Sequence, residues 1–220
     1  MDEQSEAQVE AAVEGSRWVT RGWTLQELIA PGKVHFYDQN WEYIFAKDEY
    51  PDCISSATGI SKHVLIEGGL SEVSVAEKMS WAANRETSRK EDEAYSLMGL
   101  FGIHMPMLYG EGSNAFRRLQ EEIIRTCTDD SIFAWKAFRA PMDSHRGLLA
   151  DWPRQFAGSQ GITRGYGSFS TTNMGIRITA ELLASTDSGI GHEEGSLYLC
   201  ALKAKSDEGA TVALALRRLG

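Results

Sequence analysis

Cysteine is scarce in this chain, long apolar runs are missing and positive charge is in deficit, and each shortage removes a class of protein. The three cysteines, Cys53, Cys127 and Cys200, are widely spaced and form no C-x-x-C. Neither a disulfide framework nor a zinc site is signalled, and a reducing compartment fits. No uninterrupted apolar run approaches membrane-spanning length. The acidic start, with Asp2, Glu3, Glu6, Glu10 and Glu14, lacks the basic and apolar regions of a secretion signal. The expectation is a soluble, cytoplasmic protein without a membrane span. Lys and Arg total 22 against 31 Asp and Glu, a formal net charge of -9, which argues against nucleic acid as a partner because phosphate neutralisation needs a basic face. The five histidines show no H-x-x-x-H or H-E-x-x-H spacing, so no metal site is expected.

What is present suits a globular protein of one or two domains. The chain has 220 residues, 42% of them apolar and 24% charged, enough to close a hydrophobic core. Residues 1–15 alternate acids with Ala, Val and Gln up to Gly15, which fits a solvated helix or a loose arm. The stretch Arg17 to Pro31, R-W-V-T-R-G-W-T-L-Q-E-L-I-A-P, places two Trp, two Arg and one Glu in a short helix-forming segment that Pro31 and Gly32 end. Its Glu27 is expected beside an aromatic wall, either as an ion-pair partner of Arg17 or Arg21 or as a working acid/base. Val34 to Tyr37 and Trp41 to Ala46 read as the strands of a hairpin turning at Asp38-Gln-Asn40.

Further on, Pro51 opens a helix that Thr58-Gly59 stops, followed by the apolar run Val64-Leu65-Ile66 and a joint at Gly68-Gly69. Ser74-x-x-Glu77 and Ser88-x-x-Glu91 are capping boxes that each open a helix. Ser113 is expected to cap a third helix with Phe116, Leu119, Ile123 and Ile124 on its apolar face. The turn Tyr109-Gly-Glu-Gly112 before it could hold an anion at the helix N-terminus, or simply be a tight turn. Beyond Ser131, Gly, Ser and Thr increase, and strands are predicted at Ile132 to Trp135, Gly175 to Ala180, Ser196 to Ala204 and Thr211 to Arg217. The fold class is therefore α+β: a helical half with three or more helices and a β-hairpin, then a β-rich antiparallel half.

Several blocks of this sequence resemble fungal heterokaryon-incompatibility (HET) domain proteins. They are S-R-W-V-T-R-G-W-T-L-Q-E-L-I-A-P from Ser16 to Pro31, S-V-A-E-K-M-S-W-A-A-N-R-E-T-S-R-K-E-D-E-A-Y-S-L-M-G-L-F-G from Ser74 to Gly102, M-P-M-L-Y-G-E-G from Met105 to Gly112, A-F-R-R-L-Q-E-E-I from Ala115 to Ile123, and D-D-S-I-F-A-W from Asp129 to Trp135. The resemblance implies an acidic arm at 1–15, the C-terminal part of a HET domain at 16–135, and a β-rich extension at 136–220 that is expected to be truncated. The upstream strands of that domain are expected to be absent. The helical half would then be the remnant of a TIR-like α/β domain.

The role the resemblance implies is signalling in fungal non-self recognition, with programmed cell death as its outcome and protein partners or self-association as its means. As such a module the chain is expected to have no catalysis and no cofactor of its own. HET domains are also similar to TIR domains, some of which hydrolyse NAD with a glutamate in a W-x-x-x-E-L pattern. Trp23-Thr-Leu-Gln-Glu27-Leu28 has that spacing, so the resemblance would make Glu27 the catalytic carboxylate, Trp23 a pocket wall and NAD a substrate.

Overall fold

Apolar residues at helical spacing build the first half of the molecule and alternating ones build the second. The computed structural model describes residues 3–136, 147–184 and 197–217. Helix α1 (Glu3–Glu14) leads to α2 (Thr24–Ile29), the strands β1 (His35–Tyr37) and β2 (Tyr43–Ala46), and the short helices α3 (Pro51–Thr58), α4 (Lys62–Glu67) and α5 (Val75–Ser80). After these come α6 (Asp92–Tyr95), α7 (Met98–Phe101) and the longer amphipathic α8 (Asn114–Thr126). Strands β3 (Ser168–Thr172) and β4 (Gly175–Thr179) form one antiparallel pair. Strands β5 (Glu181–Ala184), β6 (Leu197–Lys205) and β7 (Thr211–Arg217) form an antiparallel sheet with β6 in the middle. The fold is α+β.

One core joins these pieces. Leu25 and Leu28 of α2, Met79 of α5, Tyr95 of α6, Phe116 and Leu119 of α8, and Leu202 and Ala204 of β6 belong to a single buried cluster. Fully burying a side chain of this size contributes about 1.5–3 kcal/mol. Helix α1 is not a loose arm, because Val9 and Val13 on one edge are buried in that core. Gly59 ends α3 as expected, in the left-handed conformation with φ 71° and its amide on the Ser55 carbonyl.

The hairpin is fixed on one face and at its ends. Phe36 and Phe45 pair across β1 and β2 with ring centroids 4.4 Å apart, and Trp18 meets Phe36 edge-on at 5.5 Å. The buried Lys47 donates its Nζ to the carbonyls of Leu28 at 3.1 Å and Pro31 at 2.6 Å, satisfying acceptors at the C-terminal end of α2. At the tip, one oxygen of Asp38 accepts from the amides of Asn40 and Glu42, both at 2.8 Å. The opposite face leaves Tyr37, Trp41 and Tyr43 exposed, with Trp41 at φ 65° and 84% accessible.

Three expectations need correction. Ile132 to Trp135 is not a strand: Asp130–Phe133 forms a 3-10 helix, because the Asp129 carboxylate turns back onto the Ser131 amide at 3.0 Å and caps it. Ile132 and Phe133 are apolar neighbours because both are buried, not because they lie in a ladder. The box at Ser88 does not form either; two single-turn helices stand there, and the Glu91 side chain is drawn to a distant loop. Ser113 precedes α8 but makes no side-chain cap. The box at Ser74 does form its first half, with Ser74 Oγ accepting from the Glu77 amide at 3.1 Å. His145, His192, Ser196 and the final residues 218–220 lie outside the described residues.

Candidate functional site

The tryptophan-rich segment is stapled to the stretch following α5. Gly22 donates its amide to the Glu86 carbonyl at 2.8 Å and Glu86 donates to the Thr20 carbonyl at 2.7 Å, making a short parallel bridge. Gly22 is required at this crossing, since a Cβ there would stand 2.5 Å from the Thr87 methyl. The Thr24 hydroxyl lies against the carbonyls of Trp18 and Arg21 and accepts from Arg85 Nη1 at 3.0 Å. Gln26 donates its side-chain amide to the Ser96 carbonyl. Two sequence blocks separated by some sixty positions thus become one surface.

That surface forms one wall of a cleft of about 600 Å³, and Trp152, Pro153 and Arg154 form the other. Trp152 is held in place by Gln155, whose side-chain oxygen accepts from the amides of Asp151 at 2.6 Å and Trp152 at 3.3 Å. Arg85 donates Nε to the Trp81 carbonyl at 3.1 Å and Nη1 to the Arg21 carbonyl at 3.0 Å. Desolvation pushes its pKa down to about 10, and no carboxylate is paired with it among the described residues. Glu93 lines the same cleft, and burial raises its carboxyl against the opposing pull of Lys90.

Glu27 and Trp23 stand elsewhere. Both are exposed, Trp23 at 36%, and neither lines this cleft. Glu27 pairs with neither Arg17 nor Arg21, and among the described residues it makes no ion pair. Trp18 is the tryptophan of this segment that packs on the core; Trp23 projects outward.

The Gly-rich turn before α8 does hold an anion, and the chain supplies it. One oxygen of Glu91 accepts from the amides of Gly110 at 2.7 Å and Gly112 at 3.0 Å. These bonds, led by that from its own backbone amide, hold the Glu91 carboxyl below the usual carboxylate range. Beside it Tyr95 donates to Glu111 at 2.7 Å while accepting from the Leu108 amide at 2.7 Å, and Arg118 reaches the same Glu111 oxygen at 2.6 Å. This network shapes a loop. Among the described residues no group of three or more His, Cys, Asp and Glu could hold a metal ion, and no helix is long and apolar enough to cross a membrane.

The junction of the two halves is built from Asp129, Asp130 and Ser131. Asp129 accepts from the amides of Val75 at 2.9 Å and Gly165 at 3.1 Å. Asp130 accepts from those of Lys203 at 2.6 Å and Ala204 at 3.0 Å, and Ser131 Oγ from Ala76 at 3.1 Å. The D-D-S run marked in the sequence is therefore a clamp between α5, β6 and the loop at Gly165.

The Trp-rich segment stands out in the sequence by itself, whereas Arg85, Trp152 and Arg154 do not. The local signal for that second wall was Trp152-Pro153 after Gly147-Leu-Leu-Ala150, which gives a turn but no partner.

Comparison with known proteins adds two matches. A family described as a domain of unknown function (DUF8212) matches residues 114–172, from the first residue of α8 to the last of β3. Among curated proteins, the vegetative incompatibility protein HET-E-1 of Podospora anserina is 44% identical over 113 residues, covering 51% of this chain and 8% of that protein. The chain thus spans less than a tenth of that relative's length. No solved structure matches. Over half of its length, this chain is similar to a vegetative incompatibility protein.

Proposed function

We propose that the chain is a cytoplasmic signalling and interaction module of fungal non-self recognition, the counterpart of the C-terminal part of a HET domain with its β-rich extension. In this reading it binds protein partners, or itself, and has no catalysis of its own. The observation that carries the reading is the 44% identity to a vegetative incompatibility protein over half the chain. The outer hairpin face supports it. Tyr37, Trp41 and Tyr43 lie there with centroids 5.9 to 6.3 Å apart and stay exposed, and aromatic residues with polar tips are common at protein interfaces. Sedimentation of the purified chain tests the self-association arm: a concentration-dependent shift to dimer that Trp41→Ser abolishes is expected, and a clean monomer at all concentrations counts against it.

A second reading is hydrolysis of NAD through Glu27. What supports it is the spacing of the Trp23-x-x-x-Glu27-Leu28 pattern and a Glu27 carboxylate with no ion pair among the described residues; stabilising positive charge on a ribose would also need a partly water-excluded pocket around that carboxylate, which is exposed here. Incubation of the protein with NAD and assay of nicotinamide decides between the two. Release that disappears in Glu27→Gln supports hydrolysis. Absence of release at high protein concentration supports the interaction module.

A further inference from the structure

The cleft between Arg85 and Trp152 has features that neither reading uses. A guanidinium removed from water is ordinarily matched by a carboxylate or another anion, because an unpaired buried charge is costly. Among the described residues Arg85 has no such match. Its Nε and one Nη1 are spent on carbonyls and a hydroxyl that fix its position. Its Nη2 makes no hydrogen bond among the described residues, and the residue lines the cleft. The remaining charges of the lining are Arg154 from the opposite wall and the carboxylates of Glu86 and Glu93. The two cations and two carboxylates balance, which disfavours a polyanion and leaves the two arginines as the part of the lining that suits an anionic group. Trp152, 45% exposed and with its backbone amide bound by Gln155, adds an indole to the lining.

We propose that this cleft binds a small phosphomonoester bearing an aromatic ring, a nucleoside monophosphate in class, with its phosphate on Arg85 and Arg154 and its ring against Trp152. Arginine suits this task because its planar fork meets phosphate oxygens with directed hydrogen bonds. Stacking on an indole is available to any base. Glu93 would accept from a ligand hydroxyl or amino group, a role compatible with its half-buried carboxylate. A cleft of about 600 Å³ lies within the range of small-molecule sites. The site stands apart from Glu27, so it holds or fails independently of both functional readings.

Titration calorimetry on the whole chain tests it, with adenosine 5′-monophosphate, adenosine, inorganic phosphate and adenosine 5′-triphosphate as separate probes. The monophosphate should bind saturably and more tightly than the other three. Arg154→Gln and Trp152→Ala, at exposed positions that leave the fold intact, should each weaken it roughly tenfold or more. Arg85→Lys should weaken it further while the circular dichroism stays that of the parent. No saturation up to millimolar monophosphate overturns the proposal, as does binding that both exposed-residue variants leave unchanged. Equal binding of inorganic phosphate removes the ring, and tighter binding of the triphosphate removes the single-anion argument; either result also overturns it.

Discussion

The helical half and the β-rich half solve the burial problem differently. In the first, α2, α5, α6 and α8 close around shared residues such as Leu25, Met79, Tyr95 and Phe116, each with almost no accessible surface. In the second, β3 and β4 bury no residue fully, alternating exposed and half-buried positions, and among the described residues Ala150, Phe156 and, on β6, Cys200, Leu202 and Ala204 reach the interior. The first half is held by packing. The second adds to its packing a few carboxylate bonds at one junction, and packing and hydrogen bonds fail in different ways when a single residue is changed.

The sharpest way to break this contrast is Gly165→Ala. A Cβ at that position would lie 2.0 Å from both the Ala204 amide nitrogen and an Asp130 oxygen, so the junction must open. We expect a loss of about 3 kcal/mol in denaturant unfolding, at the upper end for overpacking. Asp130→Ala comes next. It strips the acceptor from the amides of Lys203 and Ala204, at a cost of ~2 kcal/mol. Hydrogen exchange should then show β6 and β7 losing protection while α5 and α8 keep theirs. Equal loss in both halves would erase the distinction.

Glu91→Gln probes the polar interior of the helical half. A carboxyl held below its ordinary value in the folded state gives stability that is present above the unfolded value and lost as pH falls through the folded one. The variant should therefore melt lower than the parent at neutral pH, with the gap closing in acid. A gap independent of pH would mean that the charge on Glu91 contributes nothing. Glu27→Gln has the smallest expected effect on stability, within about 0.5 kcal/mol, because the residue is exposed and makes no ion pair among the described residues. A larger shift in thermal unfolding would show a structural role for Glu27 in the unaltered protein.

Features written in neighbouring residues were legible in the sequence. The Ser74 cap, the stop at Gly59, the apolar face of α8 and the strand at Thr211–Arg217 each depend on residues a few positions apart. Features decided by distant partners were not. Ile132 and Phe133 read as a strand because burial on all sides and a pleated ladder favour the same apolar residues. Ser168–Thr172 escaped notice because its one apolar residue, Phe169, gives no alternation to detect. Glu91 looked like the third residue of a capping box; only the fold brings Gly110 and Gly112 close enough to claim its carboxylate. For the same reason Glu27 and Trp23 stood out as a motif, while the cleft of Arg85, Trp152 and Arg154 needed three segments to meet.

The carboxylate seated in the turn at Gly110 and Gly112 also bears on regulation. A ligand tethered to its own receptor is present at high effective concentration at all times, so phosphate or sulfate in the surroundings competes poorly for those amides. While Glu91 is ionised the loop ahead of α8 is therefore occupied and little affected by the anion content of the medium. Dissolved anions that act on this protein must do so elsewhere on its surface.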